Sequence, residues 1–310
     1  MVKKVGVAFG GGGARGLAHL GVIRALRNSG KYIPKITAGT SAGSIAAVLY
    51  ASGISQLEIE ETAKEFDWFK DVISFSDTVK NIFNRNRGGL VSNSKLGDSI
   101  NRLISGRSFD DFNIDIAVVA TEIEKMQRVI FTSKRAAAEI NREELEKFLP
   151  EPKGPMPGCD TIIVPDCKDV GLAVRASCAV PGVFQPVEIM GMRLLDGGVV
   201  DQVPVDVVKA MGADITIGVS LALSFIPQKF TSAVHSLSGM VGLLGIQQLR
   251  KNLENADIGF QVEGIDKRSP VNPKQYDLVD LGEKQMIRLL DEYERKKRKL
   301  PGILFGRKVY

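Results

Sequence analysis

The chain has 310 residues, 44% hydrophobic, 25% charged and 6% aromatic, with a net charge of +5. That balance excludes a disordered or fibrous chain and allows one large core, and no apolar run approaches the roughly 18 residues of a membrane span. Three cysteines without paired spacing give no disulfide framework, and two histidines form no zinc pattern with them, so the chain is expected in the cytoplasm, without a metal.

Lys4–Phe9 is apolar and alternating enough for a buried first strand. The lysines before it faintly resemble the start of a signal peptide, but glycines end the apolar run at once. The strand enters Gly10-Gly11-Gly12-Gly13-Ala14-Arg15-Gly16, and Leu17, Leu20, Ile23 and Leu26 then give a helical period. Gly11, Gly13 and Gly16 have the spacing of a dinucleotide fingerprint. That reading needs an acid at the end of the second strand, and no acid occurs between Met1 and Ser55. No Gly-Lys-Ser/Thr closes the loop, so it is not a Walker loop. A glycine loop ahead of a helix has another use, presenting bare backbone N–H groups to an oxyanion. Arg15 has two readings, support of this loop or contact with an anionic substrate.

The stretch Lys35–Ser44 follows the pattern strand, sharp turn, helix. Ile36–Ala38 leads into Gly39-Thr40-Ser41-Ala42-Gly43, and Ile45, Val48 and Leu49 continue as a helix. In that context G-x-S-x-G is a candidate nucleophile elbow, with Ser41 projecting from the turn. Gly39 and Gly43 remove side chains where turn and helix would collide. The alternative is a plain turn with Ser41 as a helix N-cap.

Farther on, Gln56–Phe69 reads as a helix. Phe75–Arg87 is amphipathic, a core helix or a flap over a lipid site. Ser92–Ile104 reads as a helix, and Asp115–Ala120 and Arg128–Thr132 as paired strands. Ala136–Leu149 reads as one charged helix, followed by four prolines within Pro150–Pro157, a stiff surface excursion. Thr161–Val164 resumes the strand pattern. A small-residue helix then ends at Cys178-Ala179-Val180-Pro181. Val187–Met190 and Met192–Leu195 can pair around Gly191 and lead to Asp196-Gly197-Gly198. Helix Val203–Met211, strand Asp214–Leu221, a long helix Ser232–Leu253, a last strand Ile258–Val262 and a helix Glu283–Leu300 complete the chain. Strands alternating with helices predict an α/β fold with a mainly parallel central sheet. The last helix carries Arg295-Lys296-Lys297-Arg298-Lys299, a solvated face or a contact for an anionic membrane. No aromatic-interleaved basic motif points to nucleic acid.

A nucleophilic serine needs a base. Ser41, Asp196 and His235 come in the triad order of the α/β-hydrolases, but that fold places several strands before its elbow and this chain has one. His235 also falls within a helical pattern, and His19 reads as structural. The second arrangement is a dyad with Asp196 itself as base, its pKa raised by burial away from cations. Asp201 and Asp206 lie near it in sequence but lack its glycine context.

Four blocks, Gly10–Gly16, Gly39–Gly43, Ala176–Val187 and Asp196–Val205 (DGGVVDQVPV), come in the order found in the patatin-like phospholipases. From roughly Val5 to Ser220 the chain resembles the stand-alone bacterial members of that family. The resemblance implies a single domain over residues 1–310, folded as a three-layer α/β/α sandwich like the cytosolic phospholipase A2 catalytic domain. It implies hydrolysis of lipid or other carboxylic esters without metal or cofactor, with Ser41 as nucleophile and Asp196 as base. It also implies an oxyanion hole at the amides of Gly11, Gly12 and Gly13. A lipid-binding or regulatory module with residual esterase activity is the competing expectation. The stretch Ser133–Val170 is longer than the family's usual link, and neither an outer-membrane barrel nor a leader is read. The expected partners are a lipid or ester substrate and, peripherally, the anionic inner membrane face.

Overall fold

The computed structural model describes residues 3–66, 71–74, 91–147, 160–221, 249–265, 268, 272 and 274–299. The expected amphipathic segment 75–87, the proline run 150–157, His235 and most of the long helix expected at 232–253 lie outside the described residues.

The first half of the sheet alternates strand and helix: β1 (Val5–Phe9), α1 (Leu17–Asn28), β2 (Pro34–Thr40), α2 (Ala42–Ala51), α3 (Gln56–Glu65), α4 (Ser94–Leu103), β3 (Asp115–Glu122) and β4 (Gln127–Thr132). The second half continues with α5 (Lys134–Glu139), α6 (Arg142–Glu146), β5 (Thr161–Val164), α7 (Val170–Ser177), β6 (Val187–Ile189), β7 (Met192–Asp196), α8 (Val205–Ala210), β8 (Ile215–Ser220), β9 (Ile258–Gln261) and α9 (Asp277–Lys299). The main path of the sheet runs β5-β4-β3-β2-β1-β8-β9, and β7 pairs with both β3 and β6. The pairs from β3 across to β9 are parallel, as is β4 with β5, whereas β3–β4, β3–β7 and β6–β7 are antiparallel.

Alternation along each strand splits the core between two faces. Val5, Val7, Phe9, Ile217 and Val219 join a cluster with α1, α2, α4, α7 and α9. Ala8, Ile36, Ala38, Ala117 and Val119 join a second with α5, α6 and α8. Helices thus cover both sides of a mainly parallel sheet, giving three layers.

Two expected helices differ in detail. The charged stretch 136–149 is two short helices, α5 and α6, because Asn141 interrupts it and its side chain caps α6 by accepting from the Glu144 amide. The last helix begins at Asp277 rather than Glu283. Between β6 and β7 the turn is tight, with Met190 at φ 52° and Gly191 at φ 77°, the left-handed pair that a two-residue hairpin requires.

The topology meets at one place. β2 runs parallel beside β3 until Thr40 pairs with Val119. At the next position of β3, Ala120 pairs instead with Asp196, the last residue of the antiparallel β7. β2 and β7 therefore approach each other along the same edge of β3 and their C-terminal ends meet there. This is the carboxyl end of the parallel strands, where open α/β sheets place their sites.

Candidate active site

Ser41 lies between β2 and α2 with φ 54° and ψ −127°, a strained backbone for a non-glycine residue, costing on the order of 1–3 kcal/mol. The surroundings hold it there. Its amide donates to Ser177 Oγ at 2.9 Å, and Ser177 Oγ donates to the Val119 carbonyl at 2.6 Å. Its carbonyl accepts from the Ser44 amide at 2.8 Å and the Ser44 hydroxyl at 2.6 Å. A Cβ on Gly43 would come within 2.0 Å of the Phe9 carbonyl, and one on Gly39 within 2.1 Å of the Gly43 carbonyl. The two glycines of the elbow thus answer to close backbone approach.

The Ser41 side chain lies close enough to the Asp196 carboxyl to lower its pKa. Asp196 is 3% exposed, and its Oδ1 accepts from the Gly198 amide at 2.8 Å. Its main chain is fixed as well: the amide donates to the Ala179 carbonyl at 2.9 Å, and the carbonyl accepts from Thr121 Oγ1 at 2.9 Å. Burial pushes the Asp196 pKa up to about 6, and the nearby Ser41 side chain and the Gly198 amide only partly offset it. The Cys178 thiol lies 4.0 Å from the Ser44 hydroxyl, and burial beside Asp196 raises its pKa, keeping it a neutral thiol.

The glycine loop runs alongside. A Cβ on Gly11 would lie 3.3 Å from Ser41 Cβ, so the loop borders the elbow directly. Its three amides are not equivalent. The Gly11 amide donates to the Gln202 carbonyl at 3.2 Å, which narrows the expected trio. Among the described residues, the Gly12 and Gly13 amides have no such acceptor. Arg15 is 6% exposed and its Nε donates to the Gly12 carbonyl at 3.1 Å, the geometry of loop support. His19 is fully buried, edge-on to Phe9, and its Nε2–H donates to the Gly10 carbonyl at 2.7 Å. Burial lowers its pKa to about 4, so the ring is neutral and fixes the start of the loop.

The carboxylates of Asp201 and Asp206 are engaged elsewhere. Both bond the buried Arg128, at 2.8 and 2.6 Å. The structure thus brings together Ser41, Asp196 and the Gly11–Gly13 loop, with Arg15 behind the loop. Sequence reasoning missed Ser177, Cys178, Gln202 and Arg128. The first two fall in a block marked only by its small residues, and an arginine in a strand reads as a surface residue although Arg128 is 0% exposed.

The family model described as "Patatin-like phospholipase" matches residues 7–209, which covers the elbow, the glycine loop and the acid turn. An uncharacterised NTE-family protein of Mycobacterium bovis is 30% identical over 220 residues, 70% of this chain and 49% of its own length. Lysophospholipase NTE1 of Pyricularia oryzae is 29% identical over 251 residues, 77% of this chain and 14% of its own. The chain thus spans half or less of these two curated relatives. Among solved structures, VipD from Legionella pneumophila superposes with a TM-score of 0.52 at 16% identity, over 94% of this chain and 67% of that one, a likeness of fold.

Proposed function

Since the chain belongs to the patatin-like phospholipase family, we propose that it is a serine lipid acyl hydrolase working through a Ser41–Asp196 dyad. The observation that carries this reading is the meeting of Ser41, on a strained elbow at the end of β2, with the buried Asp196 at the end of β7, beside a glycine loop. Asp196 accepts the hydroxyl proton as Ser41 Oγ attacks the ester carbonyl carbon. The carbonyl oxygen becomes an oxyanion, which the open amides of Gly12 and Gly13 stabilise. Gly11 shapes the loop while its own amide is bonded to Gln202. The tetrahedral intermediate collapses, the ester C–O bond breaks, and Asp196 returns the proton to the leaving alkoxide. Water, deprotonated by Asp196, then attacks the acyl-serine, releasing the fatty acid and returning the proton to Ser41 Oγ. Arg15 keeps the loop in shape through the Gly12 carbonyl.

The lysophospholipases among the relatives make lysophospholipids the first substrates to test. The basic end of α9 would contact the anionic inner membrane face peripherally. No described helix is long and apolar enough to cross a membrane. A fluorophosphonate probe tests the nucleophile: the parent protein should label and Ser41→Ala should not. Equal labelling of the two would sink the reading. Asp196→Asn should abolish turnover while His235→Ala leaves it intact; the opposite pair of results would restore the triad.

A further inference from the structure

The turn after Asp196 carries Asp201 and Gln202, and three parts of the site converge on their main chain. The Asp201 amide donates to the Gly197 carbonyl at 2.8 Å, in the turn of the proposed base. Its carbonyl accepts from Thr40 Oγ1 at 2.8 Å, one residue before the elbow. The next carbonyl, that of Gln202, takes the Gly11 amide at 3.2 Å. One dipeptide therefore touches the acid turn, the nucleophile strand and the glycine loop.

The dipeptide is itself anchored through the Asp201 side chain. Its Oδ2 accepts from Arg128 Nη1 at 2.8 Å and its Oδ1 from Asn252 Nδ2 at 3.0 Å. Asn252 Nδ2 also donates to the Val203 carbonyl at 2.8 Å, so the next stretch is held too. Arg128, on β4, reaches Asp206 Oδ2 on α8 at 2.6 Å through the same Nη1, and Thr161 Oγ1 on β5 at 3.1 Å through Nε.

We propose that Asp201 is a positioning residue for the site: its anchored carboxyl fixes the dipeptide that sets the glycine loop and the acid turn against Ser41. It acts through its main chain and touches no substrate. The inference rests on the hydrolase reading above.

The anchor holds a charge problem whose solution makes it testable. The charged groups facing Asp201 are Arg128 from β4 and Asp206 from α8; Asn252 and Thr161 add neutral partners. One buried cation between two buried carboxylates would leave a net negative charge away from water, which is strongly disfavoured. Asp206 Oδ1 is buried without a hydrogen-bond partner, and one proton on this pair of carboxyls removes the excess charge. Burial, and then Asp206, push the Asp201 carboxyl well above the usual range, and Arg128 does not offset them. The native state therefore binds this proton more tightly than the unfolded chain, and the associated stability falls as pH rises towards the folded value. Once the proton is lost, two carboxylates repel across Arg128, and the bonds to Gly197, Thr40 and Gly11 lose their anchor.

The test compares the full-length parent with Asp201→Asn and Asp201→Ala, using hydrolysis of a soluble short-chain ester between about pH 6 and 10. Asparagine removes the titrating charge and keeps one of the two acceptors. The parent should lose kcat on an alkaline limb, and Asp201→Asn should lack that limb. Asp201→Ala should lower kcat about tenfold or more at every pH with little change in KM, as expected of lost alignment. An unchanged alkaline limb in Asp201→Asn overturns the proposal, as does parental kcat in Asp201→Ala. Amide hydrogen exchange at Gly11–Gly13, corrected for intrinsic pH dependence, supplies a readout independent of turnover. Faster exchange at alkaline pH in the parent but not in Asp201→Asn supports the anchor, and equal behaviour overturns it. If Asp201→Ala does not fold, the asparagine variant decides alone. Absence of ester turnover in the parent would count against the hydrolase reading, while the exchange measurement still decides the anchor.

Discussion

Asp196 shows how one residue's setting becomes a measurable pH dependence. A general base, the role proposed for Asp196, must be ionised to accept a proton, and burial has raised this carboxyl to about 6. The kcat/KM of the parent should therefore rise with pH through about 6, where an ordinary aspartate would finish titrating near 4. Asp196→Asn should lose about a hundredfold or more in kcat, the usual share of a general base. Ser177 makes a second case. Ser177→Ala would leave the buried Ser41 amide and Val119 carbonyl without their shared hydroxyl, a loss of about 1–3 kcal/mol. Thermal melting should register that loss, and Ser177→Thr, which keeps the hydroxyl, should recover part of it. Ser41 and Asp196 were legible in the sequence because glycines frame both. Ser177 and Arg128 were not, because their partners come from distant segments. Nothing local distinguishes the buried Arg128 from an arginine on a strand's solvent face.

Elements were readable where one period dominates. β1, β2, β3, β4 and the β6–β7 hairpin lie within a few residues of their expected positions, because their apolar alternation and flanking glycines agree. The stretch 136–149 misled because its charged residues suit a helix throughout, whereas Asn141 caps a new one by competing for the backbone. Helix crossings were not legible at all. α9 lies so close on α1 that a Cβ on Gly21 would come within 1.8 Å of the Val279 carbonyl, and one on Gly282 within 2.1 Å of the Ala18 carbonyl. Gly21→Ala must push the two helices apart, at a cost of about 1–3 kcal/mol from overpacking. The expected result is a lower Tm with fluorophosphonate labelling of the folded protein preserved, since neither helix supplies a reacting group. An unchanged Tm would show that the contact yields without strain.

The basic run and the site lie towards opposite ends of β2. Ser41 follows the C-terminal end of β2. Glu294, beside the run on α9, pairs with Lys31 at 2.5 Å and bonds Tyr32, just before that strand begins. Seven residues of β2 separate the two ends by roughly 20 Å. A membrane contact through Arg295–Lys299 would therefore lie by the end of β2 away from Ser41, which suits a lipid that arrives singly better than one drawn from the bound bilayer. Replacing those five residues by glutamine should abolish sedimentation with anionic vesicles, leave neutral vesicles unaffected and preserve hydrolysis of a soluble ester. Retained vesicle binding would move the contact elsewhere. The meeting of β2 and β7 on one edge of β3 also bears on the order of events at the ribosome. The elbow is made early, but its acid follows about 155 residues later, roughly 8–30 s at ordinary rates of synthesis. Until β7 docks on β3, the nascent chain carries Ser41 without Asp196, so the proposed centre stays incomplete through most of its own translation.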